Sequence, residues 1–299
     1  MLEIRNAQVP TSVVDSVYGN EEVKLEMQGA VNSYMILRDL YNDKHTALVR
    51  HLGNGRWTRI QSADQLTVSG LRARDGRQTA MINNLKTPSI LINVVIGQAG
   101  TGKTTMALAC ALDRWFQENK RIVLSKPTAM VGQGKAFGPV PGDMEEKYAP
   151  YLASYEIAIK RLLGGNSTQQ LELMKRKKQI EYVPVELVRG SEFENCTFIL
   201  DEAQNLTWHE LKTLISRMGS GTKLILCGDL HQIDIPLYPE ETGLYKLIHS
   251  GPFLASPVSS QIELLTQYRS PITQLVADVD KWVMNEQRSS SKKNSAPVS

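Results

Sequence analysis

Cysteine is scarce in this chain, with three among 299 residues. Cys110, Cys196 and Cys227 lie far apart in apolar segments. An odd, scattered set gives no disulfide framework, and no pair has zinc-ligand spacing. Packing in the core, in a reducing compartment, is the expectation. Long hydrophobic runs are also missing. The longest, residues 89–96, falls short of the roughly 20 apolar residues that a membrane helix needs. The opening MLEIRNAQVP lacks the basic, apolar and small segments of a secretory signal. These absences predict a cytoplasmic protein with no membrane partner. Neither sign of charge dominates: 34 Lys and Arg face 31 Asp and Glu, a net charge of +3. That balance permits a nucleic-acid partner without arguing for one, so any basic surface must be local. His45, His51, His209 and His231 show no metal-ligand spacing, and His45 and His51 are expected to lie in the β module without carboxylate companions.

What is present is concentrated in one segment. Residues 97–104 read GQAGTGKT, after the apolar stretch and before TTMALACALDRWF. A strand, a glycine loop and a helix in that order make a phosphate-binding P-loop. Gly97, Gly100 and Gly102 let the backbone curl so that its N–H groups point at phosphate oxygens. The helix beginning near Lys103 adds its positive dipole end. Gly97, Gln98, Ala99, Gly100, Thr101, Gly102, Lys103, Thr104 and Thr105 are therefore expected to hold ATP. Lys103 would reach the β- and γ-phosphates and the Thr104 hydroxyl would hold Mg²⁺.

Around this loop the chain divides in three. Residues 1–70 carry β-type alternation in VNSYMILRD, TALVRHL and RWTRIQ, with GNG at 53–55 as a hairpin turn. They predict a small β module. Residues 71–287 alternate strands with helices, the pattern of a mostly parallel α/β sheet with helices on both faces. Expected strands are ILINVVI, RIVLS, EYVPVELV, CTFIL, KLILCG and QIELLT. Expected helices are 71–87, 103–119, 143–163, 208–218 and 271–284. Thr207 and Glu210 form a capping box for the fourth, and Gly219 ends it. Ser270 caps the last, with Pro271 at its first position. Residues 288–299 read as a disordered tail.

Further motifs stand at strand ends. FILDEAQN at 198–205 puts Asp201 and Glu202 after an apolar strand, where ligands bind in open α/β sheets. Asp201 would hold Mg²⁺ through water, and Glu202 would polarise the attacking water. A glutamate there favours hydrolysis over transfer to a metabolite, the kinase alternative. In CGDLHQIDIP, Gln232 could sense the γ-phosphate or be a surface residue. Arg269, in LLTQYRSP, could neutralise charge on the transferring phosphoryl or be an ordinary surface arginine. Gln78 precedes the loop by about twenty residues, and its amide could read the edge of adenine. Lys126, Lys135 and Phe137 lie in a glycine- and proline-rich segment, 124–143, suited to phosphate contact and base stacking. The run KRKK at 175–178 reads more simply as a solvated helix face. Arg189–Gly190 is expected to end a strand and is open between phosphate and subunit contact.

Taken in order, GQAGTGKT, SKPTAMVGQGKAFGPVPGDMEEKYAP, LVRG, FILDEAQNLTWHELKTLISRMGSGTKLILCGDLHQIDIP and LLTQYRSP resemble the PhoH-like ATPases. That family is close to the RecA-like motor core of superfamily-one helicases. The resemblance covers about residues 70–285. It implies a P-loop NTPase fold and catalytic roles for Lys103, Glu202, Gln232 and Arg269, with adenine contact at Gln78. It also implies an RNA-dependent ATPase with unwinding activity, acting on single-stranded RNA. A lone motor core needs a second copy to work against, so a homo-oligomer, as a hexameric ring, is expected. The alternative is an ATP-gated RNA-binding module that partners a separate nuclease without unwinding. NSYMILRDLYNDKHTALVRHLGNG is similar to the β region that follows a PIN nuclease in longer relatives. Only about seventy residues precede the core, and an independent domain typically needs roughly 100, so ribonuclease activity is not expected. Lys126 stands where arginine is expected in many relatives; lysine keeps the charge but loses the planar fork.

Overall fold

The computed structural model describes residues 4–20, 22–61, 66–127 and 144–268, the backbone alone over 144–152, and the single positions Leu275, Val279 and Trp282. The N-terminal region is a mixed sheet of β1 (Arg5–Val9), β2 (Val23–Lys24), β3 (Tyr34–Asp39), β4 (Thr46–Gly53) and β5 (Arg56–Arg59), in the order β1-β3-β4-β5-β2. The GNG turn joins β4 to β5 as an antiparallel hairpin, with Asn54 and Gly55 at φ 53° and 71°. Left-handed residues there match the twist of the flanking strands. Alternation missed two elements. β1 lies parallel to β3, and helix α1 (Thr11–Gly19) buries Val14 and Val17 against Met35, Leu37, Val49 and Trp57. Contrary to expectation, His45 does have carboxylate companions. Its Nδ1 lies 2.9 Å from Asp39 Oδ2 and its Nε2 3.5 Å from Asp15 Oδ1. A backbone bond from Tyr41, then the His45 contact, holds Asp39 below the usual carboxylate range.

A small hairpin of β6 (Thr67–Val68) and β7 (Leu71–Arg72) leads into the second sheet. Its six strands are β8 (Ile92–Gly97), β9 (Arg121–Ser125), β10 (Ile180–Tyr182), β11 (Cys196–Leu200), β12 (Lys223–Gly228) and β13 (Ser259–Leu264). All pair in parallel, in the order β10-β9-β11-β12-β8-β13. This is the α/β P-loop architecture expected from the sequence. Helices cover both faces. Val95, Ile122, Ile199 and Ile225 pack with α2 (Gly76–Lys86), α3 (Lys103–Glu118), α4 (Met144–Leu163) and α5 (Ser167–Arg176). Val94, Ile96, Phe198 and Leu226 point the other way, onto α6 (Trp208–Ile215), α7 (Gly243–Ile248) and α8 (Gly251–Ala255). Period-two alternation in strands covered on both faces produces these two cores. The three cysteines are free and buried. Tyr34, Ile60, Leu66 and Val68 join the first of the two cores. No helix among the described residues is long and apolar enough to cross a membrane.

Several boundaries differ from expectation. EYVPVELV is not one strand: β10 stops at Tyr182, and Pro184, which lacks an N–H, precedes a 3-10 turn at Val185–Leu187. Arg189–Gly190 therefore follows a turn rather than a strand. The helix expected from 71 starts at Gly76, because the Asp75 side chain accepts from the Gln78 N–H at 2.8 Å and caps it. The Thr207–Glu210 capping box is present, but α6 ends at Ile215, before Gly219. Apart from the three single positions, which are helical, the expected helix at 271–284 and the tail at 288–299 lie outside the described residues.

Candidate nucleotide-binding site

All six parallel strands end on one edge, and the P-loop leaves that edge from β8. Two of its glycines are required by geometry. At Gly97 a Cβ would lie 2.4 Å from the Leu264 carbonyl oxygen of neighbouring β13. Gly102 caps α3 at φ 92°, in the left-handed region. The Thr101 hydroxyl donates to the Gln98 carbonyl at 2.9 Å and pins the curl. The Lys103 ammonium donates to the carbonyls of Gly97 and Gln98 and so lies over the loop. Gln98, Ala99, Gly100, Thr104 and Thr105 are half-buried, lining a partly open cradle.

The acid pair meets this loop. β11 carries Asp201 to the edge, where the Thr104 hydroxyl donates to Asp201 Oδ2 at 3.0 Å across 97 residues of sequence. Burial, then the neighbouring Glu202 charge, raises the Asp201 carboxyl above its ordinary value, against the Thr104 bond. A buried carboxylate beside a second one gains from a cation. A hydroxyl and a carboxylate oxygen are the hard donors that Mg²⁺ takes. The glycine cradle and this donor set fit a magnesium-bound triphosphate.

Glu202 sits at φ 54°, a left-handed conformation that costs a non-glycine residue about 1–2 kcal/mol. Its carboxylate is held on two sides. Gln204 Nε2 donates to Glu202 Oε2 at 2.7 Å, and Lys126 Nζ lies 3.7 Å from Oε1. Gln204 is fully buried and does more than this. Its Nε2 also donates to the Gln232 carbonyl at 2.8 Å, and its Oε1 accepts the Asp229 N–H at 3.0 Å. One amide thus joins the Glu202 turn to the Asp229–Gln232 turn. Sequence reasoning missed Gln204; its signal is a polar residue two places beyond the acid pair in an otherwise buried stretch. Gln232 is exposed, and its backbone holds the turn: its N–H donates to the Asp229 carbonyl and its carbonyl accepts from Gln204.

Other candidates fall in different places. Gln78 is buried behind the loop. Its Nε2 donates to the Thr101 carbonyl at 3.2 Å and its Oε1 accepts the Arg74 N–H at 2.9 Å. That amide braces the P-loop. Tyr268, also missed, ties the end of β13 to the same region. Its N–H donates to the Gly100 carbonyl and its hydroxyl to Asp75 Oδ2 at 2.7 Å, with the Arg74 guanidinium over its ring. Burial and the Asp75 bond push the Tyr268 hydroxyl up to about 12. Arg269, Lys135 and Phe137 lie outside the described residues. In the KRKK run, Lys175 pairs with Glu156 and Glu172, as a helix-face charge does. No group of three or more His, Cys, Asp or Glu is placed to hold a metal among the described residues.

A strand–loop–helix cradle whose threonine meets a strand-end aspartate defines the class: a P-loop NTPase. Comparison then places the chain within that class. The model of the PhoH-like protein family matches residues 70–279, and the chain belongs to that family. Protein PhoH2 of Bacillus subtilis is 29% identical over 283 residues, covering 92% of this chain and 63% of PhoH2. The PhoH-like protein of Synechocystis is 35% identical over 175 residues, covering 58% of this chain and 51% of that one. Protein PhoH of Escherichia coli K12 is 32% identical over 175 residues, covering 58% and 48%. The chain thus spans about half to two thirds of these relatives. Among solved structures, the Pif1 helicase from Candida albicans is similar at a TM-score of 0.35 and 16% identity, over 70% of this chain and 43% of that one.

Proposed function

We propose that this protein is an RNA-dependent ATPase, working on single-stranded RNA as a homo-oligomer and capable of unwinding. The observation that carries the reading is the Thr104–Asp201 hydrogen bond with Glu202 beside it, on the sheet edge that bears the glycine loop. Lys103, the loop N–H groups and the α3 N-terminus bind and orient the triphosphate. Thr104 and Asp201 would hold Mg²⁺, which when bound neutralises charge on the phosphates. Glu202 orients the attacking water and accepts its proton, and Gln204 keeps that carboxylate aimed. Gln232 reports the γ-phosphate, and Arg269 stabilises the transition state from its own or a neighbouring subunit. Family membership and the helicase-like order of motifs support a nucleic-acid partner. The cytoplasm, where RNA and ATP meet, is the proposed location.

The test has three arms. ATP turnover is measured with and without single-stranded RNA, single-stranded DNA and duplexes, at two salt concentrations. Stimulation by single-stranded RNA that weakens with salt is expected. Turnover without strand displacement would replace unwinding by ATP-gated RNA binding. The Glu202→Gln variant should bind ATP normally and hydrolyse it roughly 10²–10³-fold more slowly; unchanged turnover removes Glu202 from the chemistry.

A further inference from the structure

The two oxygens of the Glu202 carboxylate have unlike partners. Oε2 accepts from Gln204, a buried amide fixed by two further bonds to the Asp229–Gln232 turn. That contact belongs to the frame of the site. Oε1 faces Lys126 Nζ at 3.7 Å, and here both side chains are open to solvent, at 28% and 36% exposure. A long pair with this exposure is worth little and exchanges easily. Lys126 comes directly after β9, the strand beside β11, so its backbone is anchored next to the acid pair while its four-carbon stem is free to swing.

The position has a chemical consequence. A general base takes a proton from water through a free lone pair of a carboxylate oxygen. Gln204 takes one acceptor site of Oε2 and fixes how the carboxylate is turned, and an ammonium beside Oε1 competes with the water for that oxygen. A phosphodiester offers Lys126 what Glu202 offers, an anionic oxygen acceptor on the solvent side. One lysine cannot serve both at full strength.

Building on the hydrolytic role proposed above for Glu202, we infer that Lys126 couples nucleic-acid binding to hydrolysis by exchanging partners. Without RNA, its ammonium pairs with Glu202 and keeps that carboxylate from the water. A backbone phosphate of bound RNA takes the ammonium, and Glu202 Oε1 is released to act as base. Lys126 is a positioning residue in this scheme: it touches the base rather than the reacting phosphoryl group. Because the two acids compete for one cation, the coupling is reciprocal, and loss of Glu202's charge must strengthen RNA binding through Lys126.

A double-mutant cycle tests this without nucleotide. Binding of a labelled single-stranded RNA is measured by fluorescence anisotropy for the wild type, Glu202→Gln, Lys126→Met and the double variant. Glu202→Gln is expected to tighten binding about two- to fivefold, the strength of an exposed ion pair, and the gain should vanish on the Lys126→Met background. A gain that persists undiminished without Lys126 is general charge repulsion and overturns the inference, as does no gain at all. Turnover supplies the second readout. Lys126→Met should raise the RNA-independent ATPase rate severalfold and flatten stimulation by RNA, while Lys126→Arg retains both properties. A fall in the basal rate of Lys126→Met would place the ammonium on the nucleotide and overturn the exchange. Should Glu202→Gln hydrolyse ATP normally, the parent reading fails, and the binding cycle still reports the Lys126–Glu202 competition.

Discussion

The two ends of the parallel sheet use polar residues in opposite ways. At the amino end they are buried and fastened to one another. Lys223 Nζ donates to the Thr87 carbonyl at 2.7 Å, Ser260 Oγ to Asn93 Oδ1 at 2.9 Å and an Arg114 N–H to Thr197 Oγ1 at 3.0 Å. Lys223, Ser260, Asn93 and Thr197 are each at most 3% exposed. At the carboxyl end, Lys103, Thr104 and Glu202 are partly exposed, and their partners are loop carbonyls, a carboxylate and a partly exposed ammonium. A ligand can replace those partners without opening the core. The same residue type, lysine, thus fastens a helix end at one edge and lies partly exposed over the glycine loop at the other. Position on the strand, more than residue type, separates structural from chemical use.

Three substitutions sharpen this contrast, beginning with the largest effect. Gly97→Ala strikes the carboxyl end, because the new methyl group would meet the Leu264 carbonyl oxygen at 2.4 Å. Overpacking of this kind costs about 1–3 kcal/mol, and the loop must also shift. Loss of ATP binding and a lower urea midpoint are expected; wild-type ATP affinity would contradict the required close approach.

Lys223→Met tests the amino end. Burial, then repulsion from Arg114, brings the Lys223 ammonium down to about 8 from its ordinary 10.5, with Cys110 and Glu118 acting the other way. Between those two values the unfolded chain holds a proton that the folded chain does not, so stability rises with pH across the window. Below pH 8 the folded state carries the cost of a buried charge. The methionine variant should therefore be more stable at pH 7, by about 1–3 kcal/mol. Its advantage should shrink from pH 8 to 10.5, with ATP affinity unchanged. Denaturant melts at three pH values check this, and a variant less stable at pH 7 would show that the Thr87 bond outweighs burial.

The smallest effect is expected at Gln204→Leu. It leaves the cradle intact and removes the bridge between Glu202 and the Asp229–Gln232 turn. Turnover should fall about tenfold, with ATP affinity held within about twofold. Equal losses in binding and turnover would make Gln204 a folding residue only.

Much of this was legible in the chain, for physical reasons that differ by region. GQAGTGKT and FILDEAQN announce themselves because phosphate approach demands glycine and strand-end acids demand an apolar strand before them. The inner strands read as apolar runs because both faces are covered. EYVPVELV misled, since Pro184 breaks the ladder that its β-branched neighbours favour. β1 and α1 were missed because β1 is a short strand with weak alternation, and α1 shows its apolar face only against Met35 and Leu37. Gln204 and Tyr268 were hidden for another reason. Their importance lies in bonds to residues 25 or more positions away, which no local pattern carries.

Calorimetric titration of ATP, with and without Mg²⁺, into the wild type and Asp201→Asn tests the convergence of P-loop and acid pair most directly. Mg²⁺ is expected to tighten ATP binding by about tenfold or more in the wild type, and that gain should largely vanish in Asp201→Asn while metal-free binding survives. An undiminished magnesium effect in the variant would mean that the Thr104–Asp201 pair does not hold the metal, and the assignment of the site would fall with it.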